Sequence, residues 1–297
     1  MISLKINKLS IFIFLIATGL FFSCSKNKEN STNLSVTIEP QRYFLEQIVG
    51  DKYTVTSLVP EGVNPESFDP APSQMVALAN SKAYFKIGFL GIENTLVDKV
   101  QNESKLNIID CSKGIDIIAE AHDHHDEEHG HYHSHAGGDP HYWSSITSAK
   151  VTMSNMLDAM KRIDPANEIV YTNNYQEEIT RINDTDSIIE NIFSKTSTKS
   201  FVIYHPSLSY FAREYGLEQL SIEHEGKNPA PAQLKKLIDQ AKEKGVKAVL
   251  VQQEFDIKNA EIIAEQIGAK TYPINLLSYQ WHDEMIKIAK AIAAQDE

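Results

Sequence analysis

Seven of the eleven histidines in this 297-residue chain fall in one stretch, AEAHDHHDEEHGHYHSHAGGD, residues 119–139. His122, His124, His125, His129, His131, His133 and His135 are interleaved there with Asp123, Asp126, Glu127 and Glu128. Neutral imidazole is a borderline ligand suited to zinc, copper and nickel, and the nearby carboxylates keep the local field attractive to a cation. With no apolar periodicity the stretch cannot pack a core, so it reads as a loop that collects metal. Its internal position excludes a terminal tag. A loop that its ligand must order loses conformational entropy, so weaker and less selective binding is expected here than at a preformed site.

Four further places carry chemistry when read together. They are GVNPESFDPAPS at 62–73, DPHYW at 139–143, YHPSLSYFAREYGL at 204–217 and YPINLL at 272–277. These segments resemble the ligand motifs of the zinc and manganese receptors of ABC importers, and a histidine-rich insertion just before the second motif marks the zinc-uptake branch. The resemblance covers nearly all of the chain beyond residue 33. It implies two Rossmann-like lobes joined by a long helix, with a metal ion held in the cleft between them. It also implies Glu66, His141, His205 and Asn275 at the four ligand positions. The family usually has histidine where this chain has Glu66, and aspartate in its manganese binders where this chain has Asn275. Glu66, His141 and His205 make a His₂Glu set, which zinc accepts with water or another group in the open position. Either Glu66 or a loop histidine completes the site. Two histidines argue against an all-oxygen magnesium or calcium site, while the carboxylate keeps Mn²⁺ and Fe²⁺ open as alternatives to Zn²⁺. His224 reads as a solvated loop residue and His282 as surface.

The elements that must position these residues follow a β/α rhythm. Strands are expected at 34–38, 53–59, 83–87 and 106–109, with helices at 42–49, 74–80 and 92–100, the second capped by Ser73. A second run begins with strands at 201–204 and 217–222. It continues with a helix at 231–244, strands at 248–252 and 270–274, a helix at 258–267 and a terminal helix from residue 279. Such alternation implies α/β architecture with parallel sheets. Between the runs, helices are expected near 146–162 and 165–194, with Pro165 at a first helical position. The longer would span roughly 40 Å, enough to bridge both lobes. The domain reading is an N-terminal lobe at 34–145, linking helices at 146–198 and a C-terminal lobe at 199–297.

Lys5 and Lys8 precede an apolar run at 9–22 that ends in Ser23-Cys24. This fits a signal peptide over residues 1–23, too short for the ~20 apolar residues of a spanning helix. The cysteine after a small residue resembles a lipoprotein cleavage site, so Cys24 is the expected lipid attachment point and 24–33 a polar tether. Cleavage would leave 26 basic against 40 acidic side chains, a formal net charge of −14, which argues against nucleic acid as a partner. Cys111 would then have no disulfide partner and reads as a small buried hydrophobe.

The expected protein is thus a membrane-anchored, extracytoplasmic monomer that hands a transition metal to an ABC permease. Two rival classes are a metallohydrolase, since His₂Glu with water is also a hydrolytic arrangement, and a metal-dependent adhesin. The chain has no HExxH pair, nucleophile elbow or phosphate loop, so hydrolysis is disfavoured.

Overall fold

The computed structural model describes residues 32–101, 106–119, 138–223, 229–255 and 257–293. Cys24, the histidines of 122–135 and His224 lie outside the described residues. The N-terminal lobe holds β1 (Asn33–Val36), β2 (Thr54–Ser57), β3 (Ala83–Lys86) and β4 (Asn107–Asp110), all parallel, in the order β2-β1-β3-β4. The C-terminal lobe repeats that plan with β5 (Ser200–Ile203), β6 (Glu218–Ser221), β7 (Ala248–Gln252) and β8 (Lys270–Ile274), in the order β6-β5-β7-β8. Every residue of β5 and β7 is buried, as a parallel strand with both faces covered by helices requires.

The crossover helices are α1 (Glu39–Val49), α2 (Pro72–Ala79) and α3 (Gly91–Gln101) in the first lobe. Two linking helices follow, α4 (Ile146–Ile163) and α5 (Glu168–Phe193), and the second lobe adds α6 (Ser209–Tyr215), α7 (Pro231–Glu243), α8 (Ile257–Ile267) and α9 (Trp281–Ile292). Two local expectations need correction. Ser73 does not cap α2, because Pro72 suits the first helical position and starts the helix one residue earlier, with Ala71 as the N-cap residue, whose N–H donates to Gln74 Oε1 at 2.9 Å. Pro165 opens a short 3₁₀ turn, Pro165–Asn167, and α5 proper begins at Glu168.

At 1.5 Å per residue the 26 residues of α5 run about 39 Å. The helix packs on α1 of the first lobe, on α4 and on α9 of the second. One apolar core passes from Leu34, Val36 and Phe85 through Met153 and Met156 of α4 and Ile182 and Ile189 of α5. It reaches Phe201, Leu250 and Trp281 on the far side. The lobes are therefore held by shared packing, which fixes the facing strand ends.

His282 belongs to this clamp and is not a surface residue. Its Nε2 meets Glu178 Oε1 at 2.7 Å and its Nδ1 meets Thr185 Oγ1 at 2.7 Å, tying α9 to α5. Glu178 is only 1% exposed and also accepts from Tyr43 of α1, so the polar cluster joins both lobes. Cys111 is fully buried and unpaired, as expected.

Candidate metal centre

The carboxyl ends of the parallel strands point into the crevice between the lobes, where open α/β sheets characteristically bind ligands. The turn after β5 carries His205, the segment after β2 carries Glu66, and His141 lies just before the Tyr142–Ser144 turn that leads into α4. Their ligand atoms converge. His141 Nε2 is 3.3 Å from His205 Nε2, and Glu66 Oε1 is 3.4 and 3.5 Å from those two nitrogens. Three donors held at the zinc distances of 2.0–2.2 Å and at tetrahedral angles would stand roughly 3.3–3.6 Å apart. The triangle matches that spacing on all three edges, and no other cluster of His, Cys, Asp or Glu able to hold a metal is found among the described residues.

Each imidazole is oriented from behind by a carboxylate. Asp139 Oδ1 accepts from both the ring Nδ1 and the backbone N–H of His141, at 2.8 Å each. Glu223 Oε2, beyond the end of β6, lies 2.8 Å from His205 Nδ1. With the Nδ1 proton committed to a carboxylate, each Nε2 lone pair is left to face the ion, and the ring becomes a more basic ligand. Burial by itself would raise the Asp139 carboxyl, but the hydrogen bonds and charge of His141 outweigh it and hold Asp139 below the usual range. Gln252, at the end of β7, grips the His205 backbone on both sides. Its Nε2 donates to the His205 carbonyl at 2.6 Å and its Oε1 accepts the His205 N–H at 3.3 Å. Phe255 stacks on the His205 ring at 5.3 Å, and Trp143 lies 5.1 Å from the His141 ring. Glu66 is placed by a local turn in which its N–H donates to Asn64 Oδ1 at 2.8 Å.

Asn275 lies at the end of β8, 6% exposed. Its Oδ1 accepts the N–H of Leu277 at 3.1 Å and its own N–H donates to Glu284. The cavity beside His141 and His205 is lined also by Asn64, Pro65, Trp143, Glu254, Phe255, Leu276 and Leu277, with neither Asn275 nor Glu66 in its wall. The residues flanking the histidine-rich stretch are pinned together beside the site. The Asp139 N–H donates to the Ile118 carbonyl at 2.8 Å, while Tyr210 Oη donates to the Asp139 carbonyl and accepts from the Ile118 N–H. Gly138 leaves no room for a side chain, since a Cβ there would clash with Ile117 Cγ2.

In the metal-free cluster burial disfavours a charged His205, but Glu223 and Glu66 more than compensate and push its pKa up to about 10. A zinc ion held by His205 would need the neutral ring, so near neutral pH its binding would expel the His205 proton. Affinity is therefore expected to rise with pH, about tenfold per unit between pH 6 and 9, with about one proton released from this ring per zinc. Calorimetry in buffers of different ionisation enthalpy checks this, and a pH-independent affinity would contradict it.

Residues 35–294 match the family described as zinc-uptake complex component A, periplasmic. The high-affinity zinc uptake system protein ZnuA of Bacillus subtilis is 31% identical over 256 residues, covering 84% of this chain and 80% of that protein. The manganese-binding lipoprotein MntA of Halalkalibacterium halodurans is 27% identical over 217 residues, covering 70% of this chain and 66% of that one. A crystal structure of ZnuA superposes with a TM-score of 0.80 at 31% identity, covering 89% of this chain and 98% of the other. A zinc-bound ZnuA deletion mutant gives 0.78 at 32% identity, covering 90% and 100%. The chain belongs to the ZnuA family of periplasmic zinc-uptake receptors, the metal-binding components of ABC importers.

Proposed function

We propose that this protein captures Zn²⁺ with Glu66, His141 and His205 and delivers it to the permease of an ABC importer. The observation that carries the reading is the triangle of ligand atoms at 3.3–3.5 Å, backed by Asp139 and Glu223. Two nitrogens and one oxygen suit zinc better than an ion that demands only hard oxygen ligands. The relatives include both zinc and manganese binders, so Mn²⁺ is the competitor against which selectivity has to be measured. The histidine-rich stretch at 119–139 serves as a weaker, secondary collector of the ion. Asn275 acts by fixing the Leu276–Leu277 backbone along the cavity, and water takes the remaining coordination position.

Titration of the mature chain is expected to show one tight zinc equivalent followed by weaker ones. Deleting residues 120–136 should remove the weak equivalents and spare the tight one, because the Asp139–Ile118 and Tyr210 hydrogen bonds close the gap independently of that stretch. Loss of the tight equivalent in the deletion would mean that a loop histidine completes the primary site.

The protein acts as a monomer outside the cytoplasmic membrane, anchored through lipid on Cys24. No helix among the described residues is long and apolar enough to cross a membrane. An acidic domain has no basic patch with which to hold a lipid surface, whereas each buried acyl CH₂ contributes ~0.8 kcal/mol. Cys24→Ala is therefore expected to move the protein from the membrane fraction to the soluble fraction with zinc affinity unchanged. A variant still fully membrane-bound after signal removal would contradict the anchor.

A further inference from the structure

The cavity lined by His141 and His205 also carries a carboxylate that the ligand set does not use. Glu254 lies in the turn after β7, held by the Phe255 N–H donating to the Gln252 carbonyl at 3.1 Å, and its side chain lines the cavity. Its Oε1 is buried and has no hydrogen-bond partner among the described residues, and the neighbouring Gln252 side chain is engaged with His205 and Ser207. A buried carboxylate oxygen without a donor is costly, so folds keep one mainly where something else supplies the partner. Burial raises the Glu254 pKa, and the residue's own backbone N–H and the positive charge of His205 only partly offset it.

Two observations say how that oxygen is used. The ligand atoms of Glu66, His141 and His205 lie within 4.8 Å of one another, and that cluster does not include Glu254. The cavity that it lines measures about 30 Å³, and one water needs roughly 10–15 Å³ on that scale. A His₂Glu zinc site has an open fourth position that water ordinarily fills, and a zinc-bound water is a strong donor that seeks a carboxylate acceptor.

We propose that Glu254 holds the water in the fourth position of the zinc bound by Glu66, His141 and His205, and is therefore a positioning residue of that site. The inference rests on that ligand assignment. It gives Glu254 a cost in the metal-free protein and a return in the loaded one, because the same oxygen that lacks a donor in the empty cavity gains one when the hydrated ion enters.

The test uses the full mature chain with Glu254→Ala, Glu254→Gln and, as control, His205→Ala. Zinc affinity is measured against a chelator strong enough to strip the histidine-rich stretch, and Co²⁺ absorption reports coordination number. Glu254→Ala is expected to lower zinc affinity ten- to a hundredfold, the usual cost of losing an outer-shell partner, and to alter the Co²⁺ spectrum. Glu254→Gln keeps an acceptor oxygen and should recover most of the affinity, and the metal-free variant should melt no lower than wild type. Wild-type affinity and spectra in both variants would overturn the proposal. A glutamine variant as weak as the alanine one would overturn the water bridge in favour of direct coordination by Glu254. Unchanged binding in His205→Ala would instead sink the ligand assignment itself.

Discussion

Replacing His205 with alanine is expected to weaken the tight zinc equivalent by roughly a hundred- to a thousandfold. Apparent binding free energies of about 10–16 kcal/mol for four-ligand zinc sites put each protein ligand near 3–4 kcal/mol, and 1.4 kcal/mol is a factor of ten. Among the described residues three His, Asp, Glu or Cys side chains converge there, so no fourth such group is in place to substitute, and Glu223 loses the ring it orients. His141→Ala should behave alike, leaving Asp139 without its imidazole. In wild type a thousandfold excess of zinc over the dissociation constant stabilises the fold by about 4 kcal/mol, a thermal shift that both variants should lose at the same zinc concentration. Competition titration gives the affinity directly, and a retained tight equivalent in either variant would mean that the triangle is not the site.

The second large effect concerns the carboxylate that stands where the family usually has histidine. Glu66→Ala removes the one anionic ligand from the triangle and is expected to cost zinc affinity on the same scale. Glu66→His should restore a tight site and move preference from Mn²⁺ towards Zn²⁺, since a third imidazole suits zinc better than the harder ion. Both metals are to be titrated on wild type and both variants in protein lacking residues 120–136, so that weak chelation does not mask the result. Equal zinc affinities in all three would make Glu66 a bystander.

Much of this could be read from the residues. Strands β7 and β8 lie where the sequence places them, because Ala248–Gln252 is an apolar run closed by polar residues and Lys270–Ile274 precedes a clear turn. The long bridging helix follows from its apolar spacing. What the sequence conceals is whatever depends on tertiary approach. Asp139 sits two residues from His141, so its orienting role has a local signal, but Glu223 is 18 residues from His205 and reaches it only because β5 and β6 pair in parallel register. Gln252 and Glu254 come to the site because β7 lies on the other side of β5, a neighbour relation that no spacing reveals. His282 looks like surface because an imidazole on a terminal helix usually is, and its true partners come from α5, some hundred residues away.

The ligand assignment has one direct measurement, the structure of the zinc-loaded mature protein, supported by X-ray absorption at the zinc edge. The expected result is a four-coordinate ion bound by Nε2 of His141, Nε2 of His205 and a carboxylate oxygen of Glu66, each at about 2.0–2.2 Å, with water in the fourth position. A tight ion bound instead by histidines from 122–135, or by Asn275 in place of Glu66, would contradict it.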